Sequence, residues 1–141
     1  MRFWDASAVV PLLVTEPTTA AMKRLAEADP EMSVWWGTRV ECVSALRMSE
    51  RAGRLDSRGL IAALELLDTF AMRWSEVPPS DGVRWVARRA LLVHALRAAD
   101  SLQLAAALSI AGERGAGPEM VCLDTRLTEA ATREGLRVVG A

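Results

Sequence analysis

Apolar positions along this chain come in short runs cut by Pro, Gly and polar residues, and the runs switch between a period of two and a period near 3.6. Phe3-Trp4 is a short strand-like run closed at once by Asp5. Ser7 to Val14 reads as a short helix stopped near Glu16-Pro17, and Thr18 to Ala28 as a second one ended by Asp29-Pro30. Ser33 to Trp36 has strand character before Gly37. From Thr38 the apolar positions Val40, Val43, Ala45 and Leu46 follow a helical stripe to about Arg51, with closure at Gly53. Asp56 or Ser57 can cap the next helix, which runs through Leu60, Leu64 and Leu67 to Phe70, and Trp74 to Val77 is a third candidate strand cut by Pro78-Pro79.

Ser80-Asp81 opens a helix through Val83, Val86, Ala90 and Leu91 whose other face carries Arg84, Arg88 and Arg89. Ala98 to Ala111 is helical and nearly all apolar apart from Asp100, Gln103 and small hydroxyls, so it is expected in the interior. Gly112 to Pro118 reads as a loop, Met120 to Leu123 as a strand ending in Asp124, Thr125 to Ala131 as the last helix and Leu136 to Val139 as the last strand. Strands that alternate with helices and are apolar on both sides predict an α/β fold, a parallel sheet covered on both faces. With 141 residues and no repeat, linker or low-complexity tract, the chain is read as a single domain over 1–141.

Composition narrows the chemistry mainly by exclusion. No apolar run is long enough to span a bilayer and no basic-then-apolar leader opens the chain, so a cytoplasmic protein without membrane association is expected. Cys42 and Cys122 stand alone in apolar segments and are expected to be buried, reduced thiols. His94 is the single histidine and is read as structural, which removes Ser-His-Asp and Cys-His schemes. The net charge of −1 announces no global field for nucleic acid, and among 17 basic residues only Lys23 is a lysine.

Four acids stand out by position. Asp5 and Asp124 each follow an apolar strand, which in a parallel sheet puts both at the carboxyl edge where sites form. Glu41 lies in the first turn of the helix after the second strand, and Asp100 sits within the apolar helix, where burial of a carboxylate needs a reason. Each also has a structural explanation. Asp5 and Asp124 can cap helices, Thr38-x-x-Glu41 matches a capping box, and Asp100 can pair with Arg97 or meet solvent near the helix start. Together, clustered carboxylates without thiol or imidazole suit a hard cation, Mg²⁺ or Mn²⁺.

In order and spacing, Phe3-Trp4-Asp5-Ala6-Ser7, Val40-Glu41-Cys42-Val43-Ser44-Ala45-Leu46, Leu96 to Ala105 around Asp100, and Leu123-Asp124-Thr125-Arg126-Leu127 resemble the motifs of PIN-domain proteins of the VapC toxin type. The resemblance covers essentially the whole chain. Its departures are Ser101 where Ala is commoner, Gln103 where His is frequent and Cys122 where Thr or a small residue is usual. It implies a PIN-like three-layer α/β/α sandwich with a central, roughly five-stranded parallel sheet, a homodimer, Mg²⁺-dependent cleavage of RNA, and neutralisation by a cognate VapB-type antitoxin. On this reading Asp5 and Asp100 hold the metal, with Glu41 and Asp124 completing the acidic pocket. Ser7 and Thr125 would steady the carboxylates by hydrogen bonds, and Arg39, Arg97 and Arg126 would hold the RNA backbone.

The five tryptophans are read mainly as core. Rival classes fit less well. An aspartyl phosphatase would want a second Asp where Ser7 stands, and a receiver domain would want a lysine near the late strands. A PIN-like RNA-processing or protein-interaction module without a toxin role is the remaining alternative.

Overall fold

The computed structural model describes residues 1–114 and 119–141. In chain order the elements are β1 (Arg2–Trp4), α1 (Ala6–Leu13), α2 (Thr19–Ala28), β2 (Met32–Trp35), α3 (Thr38–Arg51), α4 (Ser57–Ala71), β3 (Ser75–Val77), α5 (Asp81–Val93), α6 (Ala98–Arg114), β4 (Met120–Val121), α7 (Thr125–Arg133) and β5 (Val138–Val139). The strands form one five-stranded sheet in the order β3-β2-β1-β4-β5, and every pairing is parallel. The sheet lies between two helical layers, the α/β/α sandwich expected from the alternation of elements.

The two-residue period of the strands divides the core. Trp4, Val34 and Val121 point to one face and pack with Val9, Met22, Leu46 and Leu67 from α1 to α4. Their neighbours Phe3, Trp35, Met120 and Cys122 point to the other face and pack with Ala87, Ala90, Leu104 and Leu127 from α5 to α7. Successive strand side chains alternate by geometry, so a strand of only two or three residues serves both layers. The central strands β1, β2 and β4 are buried on both faces almost throughout, whereas the edge strand β3 exposes Ser75 and Glu76.

Capping chemistry fixes the helix starts. Asp56 Oδ1 accepts the Gly59 N–H at 2.7 Å, which makes Asp56 rather than Ser57 the cap of α4. Ser80 Oγ accepts the Val83 N–H at 3.1 Å at the start of α5. Gly53, at φ +76°, follows α3 in the left-handed conformation that closes it.

Three expectations change. The helix read as ending at Ala111 continues through Gly112 to Arg114, so the loop does not begin at Gly112, and the rest of that loop lies outside the described residues. Helical hydrogen bonding carried by the preceding apolar turns outweighs the cost of one glycine. The last two strands are shorter than their apolar runs. Only Met120–Val121 and Val138–Val139 enter the ladder, because β5 is an edge strand pairing with β4 alone. Finally, Trp4, Trp35 and Trp74 are core, whereas Trp36 and Trp85 are 56% and 67% exposed. Trp36 follows the end of β2, and Trp85 lies on the outer face of α5 beneath the Arg88 guanidinium, 5.0 Å from its ring centroid. Among the described residues, no helix is long and apolar enough to cross a membrane.

Leu46 is fully buried between α3 and the sheet. Leu46→Ala is expected to lower unfolding free energy by about 2–5 kcal/mol, the cost of the lost burial and of the cavity left behind. Urea unfolding followed by circular dichroism measures it, and a change below 1 kcal/mol would contradict the packing described.

Candidate active site

Because every strand is parallel, all five carboxyl ends share one edge, and the helices that follow β1, β2 and β4 start there. Asp5 stands between β1 and α1, where it caps the helix. Its Oδ2 accepts the Ser7 N–H at 3.0 Å and the Ser7 hydroxyl at 2.5 Å. Ser7 Oγ in turn accepts the Leu123 N–H at 3.0 Å, tying this turn to the segment after β4. Ser7 thus hydrogen-bonds Asp5 through both its N–H and its hydroxyl. Asp5 is 4% exposed, and among the described residues no donor reaches its Oδ1. The cap and a ligand can thus use different oxygens of one carboxylate. Asp124 is built in the same way, with Oδ1 accepting the Leu127 N–H at 2.8 Å at the start of α7.

Glu41 is freed by a capping box that does not form. Gly37, not Thr38, is the cap residue of α3, and Thr38 is the fully buried first residue of the helix. A Cβ on Gly37 would lie 2.6 Å from Trp35 Nε1, so glycine lets the chain turn against that indole between β2 and α3. Glu41 therefore has no neighbouring backbone to cap. Its Oε2 accepts a hydrogen bond from Gln103 Nε2 at 3.1 Å, and the same amide nitrogen donates to Thr38 Oγ1 at 3.0 Å.

Asp100 departs from expectation. The interior face of α6 is formed by Ser101, Gln103, Leu104 and Ala105 to Ala107, and Asp100 sits at its margin in the first turn, only half-buried. Among the described residues no ion pair joins it to Arg97. Instead Asp100, Asp124, Arg97, Ala99 and Arg126 line one open cavity of about 350 Å³.

Burial pushes the Asp5 carboxyl above the usual carboxylate range despite its Ser7 hydrogen bonds, and Asp100 and Asp124 push it further. Burial raises Glu41 to about 7, against the pull of the Gln103 amide and with the help of Asp5 and Asp100. Asp100 is raised by burial and by Asp124, while Arg97 and Arg126 oppose the shift. Four carboxylates from four separate segments are thus linked, Asp5 and Asp100 each to Asp124, and Glu41 to Asp5 and Asp100. Among the described residues, however, no three Asp, Glu, Cys or His side chains stand close enough to cage an ion as they are.

The other expected residues divide. Arg97 and Arg126 border the acids, whereas exposed Arg39 reaches Asp68 of α4 at 3.4 Å and does not line the cavity. Thr125 opens α7 beside Asp124, but among the described residues its hydroxyl bonds none of the four carboxylates. His94 is structural, its Nε2 2.7 Å from Glu134 Oε1. Both cysteines are buried and reduced, their thiols pushed up to about 12 by burial. Two residues here were not expected as site residues. Cys122 Sγ lies 3.7 Å from Asp5 Oδ2, and Gln103 holds Glu41. The signal for Gln103 was available: a polar residue one turn after Asp100 on an otherwise apolar helix.

A scan against protein-family models finds no match. No curated protein matches in sequence. Solved structures do. The structure of FitAB bound to an IR36 DNA fragment superposes with a TM-score of 0.66 at 16% identity, covering 99% of this chain and 94% of that one. FitAcB from Neisseria gonorrhoeae gives 0.65 at 16% identity over 98% and 96% of the two chains. PAE2754 from Pyrobaculum aerophilum gives 0.64 at 24% identity over 98% and 88%. This chain shares their fold. The PIN-like sandwich thus extends over nearly its whole length, with the four acids at the carboxyl edge of its sheet.

The raised carboxyls fix a pH dependence. A group such as Glu41, ordinarily near 4.5 but near 7 in the folded chain, favours folding below pH 4.5, and that contribution is lost as pH rises through 7. Asp5 and Asp100 act in the same direction. The metal-free protein is therefore expected to lose melting temperature between pH 4.5 and 7, and Glu41→Gln to flatten that slope. Asp100→Asn is expected to raise metal-free stability near pH 7.5 by about 1 kcal/mol, because one of four like charges is removed with its shape kept. Thermal melts across pH check both, and a less stable Asp100→Asn would assign that carboxylate to the scaffold.

Proposed function

We propose that this chain is a Mg²⁺- or Mn²⁺-dependent endoribonuclease, a VapC-type toxin held in check by a VapB-type antitoxin and acting as a cytoplasmic homodimer. The observation that carries the reading is the coupling of Asp5, Glu41, Asp100 and Asp124, contributed by four segments to one sheet edge, with Arg97 and Arg126 alongside. The donor set fits a hard cation. It offers carboxylate oxygens alone, and Mg²⁺ needs only one or two of them because it keeps several waters. That preference also accommodates acids that do not form a closed cage.

Asp5 and Asp100 would be the ligands, with Glu41 and Asp124 completing the pocket directly or through water. When bound, the ion supplies activation of water and an offset to charge developing on the phosphodiester. The protein's own residues do the rest. Ser7 fixes one Asp5 oxygen and leaves the other available. Arg97 and Arg126 attract a phosphate that the acids alone would repel. A carboxyl held near 7, as Glu41 is, can exchange a proton at neutral pH. The fold is shared with FitAB and FitAcB, and a PIN-like RNA-processing or interaction module would share it equally.

The purified protein is expected to cleave RNA with Mg²⁺ or Mn²⁺, to lose activity in EDTA and to regain it on adding metal, with little effect on double-stranded DNA. Gel analysis of a mixed RNA substrate checks this. Equal cleavage in EDTA would rule out the metal mechanism, and full activity of a complex purified with a neighbour-encoded protein would rule out antitoxin control.

A further inference from the structure

Among the described residues, the Gln103 side chain is one of three with a buried polar atom that lacks a partner. It is fully buried, its nitrogen donates to two acceptors, and its Oε1 is buried without a hydrogen-bond partner. Rotating the amide would set that oxygen against the Glu41 carboxylate, so the carboxylate fixes its orientation, while the Thr38 hydroxyl can pair with either end. Its placement is reciprocal. Thr38 and Glu41 are one turn apart at the start of α3, and Asp100 and Gln103 are one turn apart at the start of α6. The amide therefore spans the first turns of the two helices that supply Glu41 and Asp100. A methionine would fill similar volume with no orphaned oxygen, so packing alone gives no reason for an amide at this position.

We infer that Gln103 is a positioning residue, whose amide, braced on Thr38, holds the Glu41 carboxylate at the acid pocket and in register with Asp100. Its consequence for metal rests on the metal-site reading above, but the contact itself does not. Glu41 is otherwise a flexible side chain at a helix start, whose disorder would have to be removed each time an ion bound. The amide removes it beforehand and sets an N–H beside the anionic oxygen. The orphaned Oε1 is the stability cost of that preorganisation.

Four proteins test this: wild type, Gln103→Met, Glu41→Gln and the double variant. Mn²⁺ affinity, measured calorimetrically without RNA, is expected to fall about tenfold in Gln103→Met and to fall no further when that change is added to Glu41→Gln. In metal-free protein the ¹³C titration midpoint of the Glu41 carboxyl is expected to rise by about one pH unit in Gln103→Met. Below pH 4.5, where Glu41 is protonated in the folded and unfolded chain alike, the melting temperature should not drop, since the orphaned oxygen goes with the amide. Gln103→Asn, which keeps the amide and shortens its reach, serves the same measurements if the methionine variant does not fold. An unchanged Glu41 midpoint, or an equal loss of Mn²⁺ affinity with and without Glu41, overturns the proposal. If wild type itself takes up no Mn²⁺, the metal-site reading falls, and a Glu41 side chain no more mobile by NMR relaxation in Gln103→Met than in wild type overturns the positioning role as well.

Discussion

Mutual repulsion among four carboxylates is the constraint that the carboxyl edge of this sheet has to withstand. Asp5, Glu41, Asp100 and Asp124 each raise, or are raised by, at least one of the others, and burial raises three of them further. A flexible chain would let them separate. Here their backbones belong to strand ends and helix starts anchored by two apolar layers, so the charges stay close at the expense of folding free energy. Helix N-termini ease the load, because the N–H groups at the starts of α1 and α7 bond to Asp5 and Asp124.

The capping and site readings of these acids are therefore compatible. A cap engages one carboxylate oxygen and orients the group, leaving the second oxygen without a backbone partner. Glu41 shows the complementary case, in which a cap is absent and a distant side chain does the orienting. The outer boundary is set by arginines. Arg97 and Arg126 pull the raised Asp100 carboxyl back down, whereas Arg39 is committed to Asp68 on another face.

The local contacts also separate the rival chemistries. Ser7, which stands where an aspartyl phosphatase would want a second acid, spends its hydroxyl on Asp5 and accepts the Leu123 N–H, a bracing role. Lys23, the only lysine, lines a groove with Leu12, Ala26 and Phe70 and not the cavity that holds Asp100 and Asp124, so the lysine a receiver site needs is not among the residues lining that cavity.

By itself the sequence determined the order of strands and helices, the parallel sheet covered on both faces, and the placing of Asp5 and Asp124 after strands. These follow from local periodicity and from the geometry of β-strand to α-helix turns, which act over a few residues. Tertiary structure decided the rest. Whether Thr38-x-x-Glu41 caps its own helix depends on how Gly37 passes the Trp35 indole, and whether Asp100 is buried depends on which side of α6 meets the sheet. The contact between Gln103 and Glu41 joins residues 62 positions apart. Local pattern could mark Gln103 as an unusual polar residue in an apolar helix, but only the packing of α6 beside the start of α3 could say which carboxylate it holds.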